Sequence, residues 1–515
     1  MTRHAGLLII LAACGGSGGD DAPSPDAGPS CLPAPGAPAE TVMTTSGLVR
    51  GVAVNQTFAY KKVPFAAPPT GELRYAPPQP AACAADELDA TALGPACPQL
   101  DAGAYVGDED CLHLNLWAPS APATTPRPVM VWIHGGGNSI GSAVYPIYDG
   151  RRLAEAGDVI VVTANYRLGQ LGFLALGGEG AGNFGLLDQV AALGWVKDNI
   201  AAFGGDPANV TIFGESAGAR DVCSLVASPA AKGLFHRAIM ASGSCKGLPT
   251  RANAEMTAAT VAATVGCAAG DVACFRALPA ETIIRANASD ISGLSSGAYQ
   301  PMIDGIVQTA QPADVIGAGG HSHVPFIVGA NADETGNSAP PIMTEAQYEQ
   351  LVRMQLPMAI ADMALQQYPA SAFPTPRAAY VRLTTDARFV CPSREIARAA
   401  DRGQTAPVYR YFFQYRATPL GAVHGLDVPF VFGTFDGVET PSGTPYTPTA
   451  ADLALSATMM GYWSRFARTG DPAGSPAWPV YAPTDPTLVF DTTTATLDGI
   501  RTQRCDFWKP FYDAL

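Results

Sequence analysis

The stretch Asn209-Val-Thr-Ile-Phe-Gly-Glu-Ser-Ala-Gly218 joins an apolar run typical of a β-strand to a run that can form a helix, residues 217–227. A serine between glycines on such a sharp turn exposes its hydroxyl, and the N–H groups of the helix point toward it. The pattern Gly-x-Ser-x-Gly occurs four times, centred on Ser17, Ser139, Ser216 and Ser295. Only Ser216 has an apolar strand before it and a helix after it, so Ser216 is the candidate nucleophile.

Further apolar runs lie on both sides of this stretch and alternate with runs typical of helices. The strand-like runs are residues 129–133, 159–163, 238–241, 324–328 and 408–415, and the helix-like runs are 185–202, 254–265, 392–400 and 451–469. Unbroken apolar strands suit a sheet that is covered on both faces. We therefore predict an α/β fold with a doubly wound, mostly parallel central sheet.

The residues before the first of these runs have a different pattern. Short alternating runs broken by Gly and Asn in residues 41–60 predict antiparallel hairpins. Residues 109–117 alternate strictly between polar and apolar, which predicts a half-buried strand. We find no internal repeat and no linker to a second domain.

A glycine loop follows the strand at residues 129–133. His134-Gly-Gly-Gly137 offers bare N–H groups that can approach a ligand closely, as the oxyanion loop of a hydrolase does. A phosphate cradle is the competing interpretation, but the Lys-Ser/Thr that would follow such a cradle is absent from the loop.

A serine nucleophile needs a base and an acid that orients the base. Among the seven histidines, His424 lies in a loop after the strand-like run 408–415, where this type of sheet collects its chemistry. The order nucleophile, acid, base places the acid between residues 216 and 424. Asp333 and Glu334 both fit, and the residues alone leave the choice open.

The composition excludes two classes of partner. The net charge is −14 and the pI about 4.9, with no basic cluster, so nucleic acid is not an expected partner. No run reaches the 18 or more apolar residues of a membrane span, so we expect membrane contact only through a lipid anchor.

The N-terminus resembles a targeting segment. Arg3 and His4 precede an apolar run that ends in Leu11-Ala-Ala-Cys14, which resembles a bacterial lipobox. We predict a signal peptide over residues 1–13, lipidation of Cys14, a flexible tether over residues 14–40 and one folded domain over residues 41–515. An ordinary secretory signal with a chance cysteine is the alternative.

Ten cysteines follow Cys14, and an even number in an exported chain predicts disulfides. They are Cys31, Cys83, Cys97, Cys111, Cys223, Cys245, Cys267, Cys274, Cys391 and Cys505. Zinc is the competing interpretation, but no Cys-x-x-Cys pair is present. The sequence alone does not assign the pairs.

Taken together, these motifs resemble those of the type-B carboxylesterase family, which is cholinesterase-like and has the α/β-hydrolase fold. The resemblance runs from about residue 41 to the C-terminus. It is carried by Val63-Pro-Phe-Ala-Ala-Pro-Pro69, Glu109-Asp-Cys-Leu-His-Leu-Asn115, His134-Gly-Gly-Gly137, Gly214-Glu-Ser-Ala-Gly218, Asp333-Glu334, His424-Gly425 and Tyr462-Trp-Ser-Arg-Phe-Ala-Arg-Thr-Gly-Asp471.

The resemblance implies specific roles for residues of this chain. It places the acid at Glu334, the base at His424 and the oxyanion donors at the N–H groups of Gly136, Gly137 and Ala217. It also implies the disulfides Cys97–Cys111, Cys267–Cys274 and Cys391–Cys505, and leaves Cys31–Cys83 and Cys223–Cys245 as the remaining pairs.

The chain departs from the family pattern at three places. Asn138 stands where an aromatic residue commonly follows the glycines, and Arg220-Asp221 replaces small or hydroxyl residues after the serine motif. The segment 98–110 has no Trp and resembles neither the choline-site loop of cholinesterases nor a long lipase lid.

We therefore expect a serine carboxylesterase that hydrolyses short-acyl or aromatic esters of small molecules, without metal or cofactor. We expect it to be exported and lipid-anchored to a bacterial cell envelope, or alternatively secreted; the sequence leaves the oligomeric state open. The alternative function is a non-catalytic, cholinesterase-like surface-binding protein, because this fold also serves adhesion. The intact Ser/Glu/His set argues against that alternative.

Overall fold

Sixteen strands form in the residues that the computed structural model describes, 31–177, 182–286, 299–417 and 421–513. They are β1 (Thr41–Thr44), β2 (Gly47–Arg50), β3 (Val52–Val54), β4 (Thr57–Pro64), β5 (Leu88–Asp89), β6 (Gln99–Asp101), β7 (Ala104–Val106), β8 (His113–Pro119), β9 (Arg127–Ile133), β10 (Ile160–Ala164), β11 (Gly205–Glu215), β12 (Arg237–Ala241), β13 (Phe326–Asn331), β14 (Val408–Phe413), β15 (Pro486–Phe490) and β16 (Ala495–Asp498).

Fifteen α-helices form in the same described residues. They are α1 (Arg151–Gly157), α2 (Gly169–Phe173), α3 (Phe184–Asn199), α4 (Ala217–Ala227), α5 (Arg251–Val265), α6 (Val272–Ala277), α7 (Ala280–Arg285), α8 (Pro312–Gly317), α9 (Glu345–Gln355), α10 (Met358–Gln367), α11 (Pro376–Thr385), α12 (Cys391–Gly403), α13 (Asp427–Phe432), α14 (Ala450–Thr469) and α15 (Thr502–Asp513).

Eleven of the described strands form one sheet, in the order β16-β15-β14-β13-β12-β11-β9-β10-β8-β4-β3. The seven strands from β15 to β10 in this order run parallel, and the strands at the two edges pair antiparallel. The hairpins β1/β2 and β3/β4 are antiparallel. The prediction of a mostly parallel α/β sheet with N-terminal antiparallel hairpins is confirmed.

Side chains of the central strands alternate between two apolar clusters. Val129, Val131 and Ile133 of β9 belong to one cluster, and Met130 and Trp132 to the other. Because successive side chains of a strand point to opposite faces, each face of the sheet has its own core. Both faces are therefore covered by packed elements.

The prediction of a half-buried strand at residues 109–117 is wrong in two respects. The strand is β8, which begins at His113, and all seven of its residues are buried. It lies between β10 and β4 inside the sheet, and its polar side chains are buried as well. One of them, Asn115, donates hydrogen bonds from Nδ2 to Ala143 O and Thr163 Oγ1, both 3.1 Å.

The strand order reverses direction beside β9, which lies between β10 and β11. The chain passes from β9 to β10 on one side and later returns to β11 on the other side. Loops leaving the carboxyl ends of two such strands diverge and leave a crevice between them. The glycine loop follows β9 and Ser216 follows β11, so the topology brings the two motifs together.

Five disulfides cross-link the described residues. The pairs are Cys31–Cys83, Cys97–Cys111, Cys223–Cys245, Cys267–Cys274 and Cys391–Cys505, the same as those expected. They indicate an exported protein, because disulfides persist in oxidising compartments. Among the described helices, we find none with the length and apolar character needed to cross a bilayer.

Residues 31–40 contact the folded body of the protein. Cys31 is bonded to Cys83, and Gly36 N donates to Ala201 O at 3.0 Å. The predicted signal peptide, Cys14 and the first part of the predicted tether lie outside the described residues. These assignments and the domain boundary at residue 41 stay predictions.

Candidate active site

Ser216 occupies the turn between β11 and α4 with φ 58° and ψ −120°. A non-glycine residue in this region costs about 1–3 kcal/mol, so the surrounding structure must hold it there. Gly218 is part of that structure, since a Cβ on it would lie 2.0 Å from Ile133 O. The glycine lets the first turn of α4 approach the end of β9 directly.

Ser216, His424 and Glu334 form a continuous hydrogen-bonded chain. His424 Nε2 lies 2.7 Å from Ser216 Oγ, and His424 Nδ1 lies 2.7 Å from Glu334 Oε2. His424 comes from the loop between β14 and α13, and Glu334 from a 3-10 turn that follows β13. Three loops at the carboxyl ends of parallel strands therefore place the three side chains in line.

The structure brings Glu334, and not Asp333, to His424. Glu334 is 1% exposed, its Oε1 accepts from Asn331 N at 2.6 Å, and its carbonyl accepts from His424 N at 3.1 Å. Asp333 instead forms an ion pair with Arg416. The two neighbouring carboxylates thus have different partners, which the sequence pattern did not distinguish.

The glycine loop lies beside Ser216. Gly136 has φ 112°, and a Cβ on it would be 2.1 Å from Ile140 O. Gly136, Gly137 and Ala217 line the same cavity as Ser216. The three residues expected to supply oxyanion donors are therefore next to the serine.

This serine cavity, which Ser216, Glu334 and His424 help to line, has a volume of about 770 Å³. Its apolar and aromatic lining is formed by Ile140, Tyr145, Tyr148, Ala217, Ala387, Phe389, Pro392 and Tyr512. A second cavity of about 1160 Å³ shares Tyr148, Glu215, Asn337 and His424 with it. The volume of the serine cavity suits a small organic ester.

Glu215 is a third carboxylate near His424. It is buried, and its Oε1 lies 3.2 Å from His424 Nε2. Burial raises the pKa of Glu215, and the nearby Asp427 and Glu334 carboxylates raise it further, while His424 opposes the shift. Burial alone would lower the pKa of His424, but Glu215 and Glu334 outweigh burial and raise it above its ordinary value.

The remaining described histidines lie away from this hydrogen-bonded chain. His134 is buried and stacks on Tyr166 with ring centroids 4.4 Å apart, and burial lowers its pKa to about 4. His321 and His323 lie with ring centroids 4.7 Å apart and bond to Gln404 Oε1 and Gly319 O. Across the described residues, no group of three or more His, Cys, Asp or Glu side chains is placed to hold a metal ion.

The structure explains two of the three departures from the family pattern together. Asn138 has φ 55°, a backbone region that asparagine tolerates better than most residues, and is fully buried. Its Nδ2 donates to Asp221 Oδ1 at 3.1 Å, and Gln189 Nε2 donates to Asp221 Oδ2 at 2.6 Å. Burial raises the pKa of Asp221 to about 6, although these two hydrogen bonds and Arg220 oppose the shift. Asn138 thus stabilises a buried carboxylate.

The third departure, the short segment 98–110, forms the hairpin β6/β7 between the cysteines of the Cys97–Cys111 disulfide. Leu100 and Tyr105 of this hairpin are partly buried and pack against the core. None of the hairpin residues is among the described residues that line either cavity.

Sequence reasoning missed several side chains of the site. Glu215 stands inside the serine motif, and that adjacency was the available signal. Phe389, whose ring centroid is 4.8 Å from that of His424, lies in a π-helical turn, Asp386–Val390, that no sequence pattern marks. Lys246 and Arg388 also line the serine cavity without a preceding motif.

The sheet topology, together with a serine, a histidine and a glutamate at the ends of parallel strands, defines the class of α/β-hydrolases. Comparison with known proteins gives the family. The model of the carboxylesterase family matches residues 38–508, and the chain belongs to this family.

Relatives of known activity agree with this assignment. The chain is 37% identical to the para-nitrobenzyl esterase of Bacillus subtilis (strain 168), over 88% of this chain and 95% of that protein. It is 36% identical to a human cocaine esterase, over 87% and 86% of the two chains. The solved structure of a thermophilic PNB esterase, 33% identical, superposes with a TM-score of 0.81 over 91% of this chain and 99% of the other. The protein is thus a carboxylic ester hydrolase.

Proposed function

We propose that the protein is a serine carboxylesterase that works through an acyl-enzyme. The observation that carries the proposal is the chain of two 2.7 Å hydrogen bonds from Ser216 through His424 to Glu334, at the wall of a cavity. Such a chain activates a hydroxyl that is a weak nucleophile at its ordinary pKa.

In the first half-reaction, Ser216 Oγ attacks the ester carbonyl carbon while His424 Nε2 takes the hydroxyl proton. The tetrahedral intermediate then expels the alcohol, which leaves with that proton, and the acyl group stays on Ser216. In the second half-reaction, His424 takes a proton from water while the water oxygen attacks the acyl carbon. The second tetrahedral intermediate then breaks its bond to Ser216 Oγ, which takes that proton from His424, and the carboxylic acid leaves. Glu334 holds the imidazole in the orientation and tautomer that both steps need.

The N–H groups of Gly136, Gly137 and Ala217 stabilise the oxyanion of both tetrahedral intermediates in this proposal. The close approach of the glycine loop to Ser216 supports their role, since a Cβ on Gly135 would lie 3.0 Å from Ser216 Cβ. Loss of one such donor typically costs about 10²–10³ in rate.

We further propose that the substrates are short-acyl or aromatic esters. The position of the β6/β7 hairpin outside the described lining of the serine cavity supports a site without a long lid. Tyr145, Tyr148 and Phe389 offer aromatic contacts to a planar ester. The names of two relatives, para-nitrobenzyl esterase and cocaine esterase, also support this choice.

Choline esters are expected to be poor substrates, although acetylcholinesterases of other organisms are among the relatives. Two aromatic residues that could replace the missing Trp, Tyr299 and Phe326, are buried and outside the described lining of the cavity.

Labelling with a fluorophosphonate probe, followed by peptide mapping, tests the mechanism. We expect the label on the peptide that contains Ser216, and no label or turnover in Ser216→Ala, whose rate should fall at least about a thousandfold. Ser295→Ala, which alters another Gly-x-Ser-x-Gly match, is the control and should be labelled like the wild type. A label on another serine, or full turnover by folded Ser216→Ala, would contradict the proposal.

A further inference from the structure

Three cationic side chains line the serine cavity: Arg220, Lys246 and Arg388. They come from α4, from the loop after β12 and from the π-helical turn 386–390. This concentration of positive charge contrasts with the net charge of −14 of the whole chain. The carboxylates among the described lining residues are Glu215 and Glu334, and both contact His424.

Arg220 is fixed close to the nucleophile. It lies one helical turn after Ser216 on the same face of α4, and its backbone N donates to Ser216 O at 3.1 Å. Its Nε donates to Ser244 O at 3.3 Å, and Ser244 lines the cavity as well. Burial lowers the pKa of Arg220, and the nearby Asp221 carboxylate opposes that shift; an arginine stays protonated at physiological pH.

The loop that carries Lys246 is tied to the same helix. Cys245 is bonded to Cys223 of α4, and a Cβ on Gly243 would lie 2.6 Å from Ala219 Cβ. The Nζ of Lys246 donates to Tyr512 O at 3.1 Å and lies 3.9 Å from Asp513 Oδ1, a carboxylate that offsets part of its charge. Arg220 and Lys246 therefore share one rigid wall.

Arg388 faces the same cavity from the side of the base. Its guanidinium lies 5.0 Å from the ring centroid of Phe389, which in turn packs on His424. The charge of Arg388 opposes the raised pKa of His424, which agrees with a position near the reacting atoms. The positive charge thus extends from the nucleophile helix to the base.

We propose that the esterase prefers esters that carry a carboxylate in the acyl or the alcohol part, and that Arg220 binds this carboxylate with support from Lys246 and Arg388. This inference rests on the proposed serine esterase function. A guanidinium can bind a carboxylate with two parallel hydrogen bonds, and such pairs are stronger than neutral hydrogen bonds. The same cations repel the quaternary ammonium of choline esters.

The net negative charge of the protein does not prevent such binding. Salt screens exposed charges beyond about 8–10 Å, while charges inside a partly dry cavity are screened much less. A local group of cations therefore determines the preference once the substrate enters.

Two pairs of substrates separate the acyl side from the alcohol side. 3-Acetoxybenzoate and 3-acetoxybenzamide differ in the charge of the alcohol part, and monophenyl adipate and phenyl hexanoate differ in the charge of the acyl part. The measured quantity is kcat/KM of the anionic ester divided by that of its neutral partner. The pair with the larger ratio shows on which side the carboxylate binds.

For at least one pair we expect a ratio above one in the wild type. In Arg220→Gln we expect this ratio to fall by at least about tenfold. Arg220→Lys keeps the charge but loses the paired hydrogen bonds, so its ratio should fall between those of the wild type and Arg220→Gln. Arg285→Gln removes a charge from an exposed ion pair with Glu281 and is the control for net charge. Added KCl should lower the ratio in the wild type.

A ratio of one or less for both pairs in the wild type, or a ratio that Arg220→Gln does not change, would overturn the inference. If Arg220→Gln does not fold, Lys246→Gln and the KCl titration apply the same criterion. If the neutral esters are hydrolysed and this hydrolysis requires Ser216, while Arg220→Gln leaves the ratio unchanged, this inference alone is overturned. Failure of the wild type to hydrolyse any of the esters overturns the proposed function and this inference together.

Discussion

At the scale of single residues, the carboxylates around His424 set its pKa and therefore the pH at which kcat/KM rises. An ordinary histidine would place the rise of activity at about pH 6 to 7. Burial lowers the pKa of His424, but Glu215 and Glu334 outweigh burial and raise it. Because the imidazole must be neutral to accept the serine proton, the raised pKa moves the rise of kcat/KM to higher pH.

Glu215→Gln should shift this pH profile back. The substitution removes a carboxylate 3.2 Å from His424 Nε2 and keeps the shape of the side chain. The pKa of His424 then falls, and the midpoint of kcat/KM moves to lower pH by about one unit. The measurement is kcat/KM from pH 5 to 9, with Glu345→Gln in α9 as the control. An unchanged midpoint in Glu215→Gln would contradict this assignment.

The two neighbouring carboxylates of the 333–334 pair should differ sharply in their effect on activity. Glu334→Gln removes the acceptor that orients His424 Nδ1, so we expect kcat to fall by about 10³-fold or more. Asp333→Asn loses the ion pair with Arg416, a residue whose side chain is 62% exposed, and should stay within about tenfold of the wild type. The reverse order would place the acid at Asp333.

At the scale of helices and loops, the Cys223–Cys245 disulfide joins α4 to the loop after β12. This cross-link fixes one wall of the serine cavity. The double variant Cys223→Ala/Cys245→Ala should lower the free energy of unfolding by about 3 kcal/mol, because the cross-link closes a loop of 22 residues. We expect kcat/KM to fall as well, since Gly243 and Ser244 then lose their fixed position beside Ser216.

The Cys267–Cys274 disulfide offers a matched control. It closes a loop of only 7 residues, and neither cysteine is among the described residues that line the serine cavity. Its double alanine variant should cost less stability and leave kcat/KM near the wild-type value. Urea unfolding and kcat/KM for p-nitrophenyl butyrate measure both effects. Equal losses of activity in the two variants would argue against a positioning role for Cys223–Cys245.

The β6/β7 hairpin determines the expected response to long-chain substrates. It is held at both ends by Cys97–Cys111 and packs against the core, so we do not expect it to act as the long mobile lid of a lipase. Across p-nitrophenyl acetate, butyrate, octanoate and palmitate, kcat/KM should be highest for the short chains. A preference for palmitate that sharpens above its solubility limit would contradict a site without a lid.

The sequence predicted the central elements well because periodicity and glycine motifs reflect local physics. The strand before Ser216 and the helix after it form as expected, at β11 and α4. The strand β8 was misjudged because its polar face is covered by residues outside the strand, among them Ala143, whose carbonyl accepts from Asn115 across 28 residues. The choice between Asp333 and Glu334 likewise depends on Arg416 and His424, about 80–90 residues away.

For the molecule as a whole, the net charge and the disulfides agree with an exported protein. Five disulfides in the described residues indicate export, and the net charge of −14 favours solubility of a chain that is 47% hydrophobic. The cationic serine cavity is therefore a local exception, which explains how the protein could admit anionic esters while its outer surface stays acidic.

Membrane attachment is the remaining property of the whole molecule, and it depends on Cys14 in our proposal. The motif Leu11-Ala-Ala-Cys14 and the Gly-, Ser- and Pro-rich composition of residues 15–30 favour a lipidated cysteine followed by a spacer. Cys31, bonded to Cys83, then marks the point at which the chain joins the folded body. One acyl chain binds a bilayer only marginally and stable anchoring takes two signals, a condition that the several acyl chains of a bacterial lipoprotein meet.

Cys14→Ser should therefore release the esterase activity from the membrane fraction or block maturation of the chain. Ser17→Ala, three residues further along, is the matched control and should fractionate like the wild type. The measurement is esterase activity and protein in the membrane and soluble fractions, together with the mass of the mature N-terminus. Because Cys14 is outside the catalytic chain, the released variant should keep the kcat/KM of the wild type, which separates loss of anchoring from loss of folding. If Cys14→Ser matures and fractionates as the wild type does, the N-terminus is an ordinary secretory signal and the cysteine is incidental.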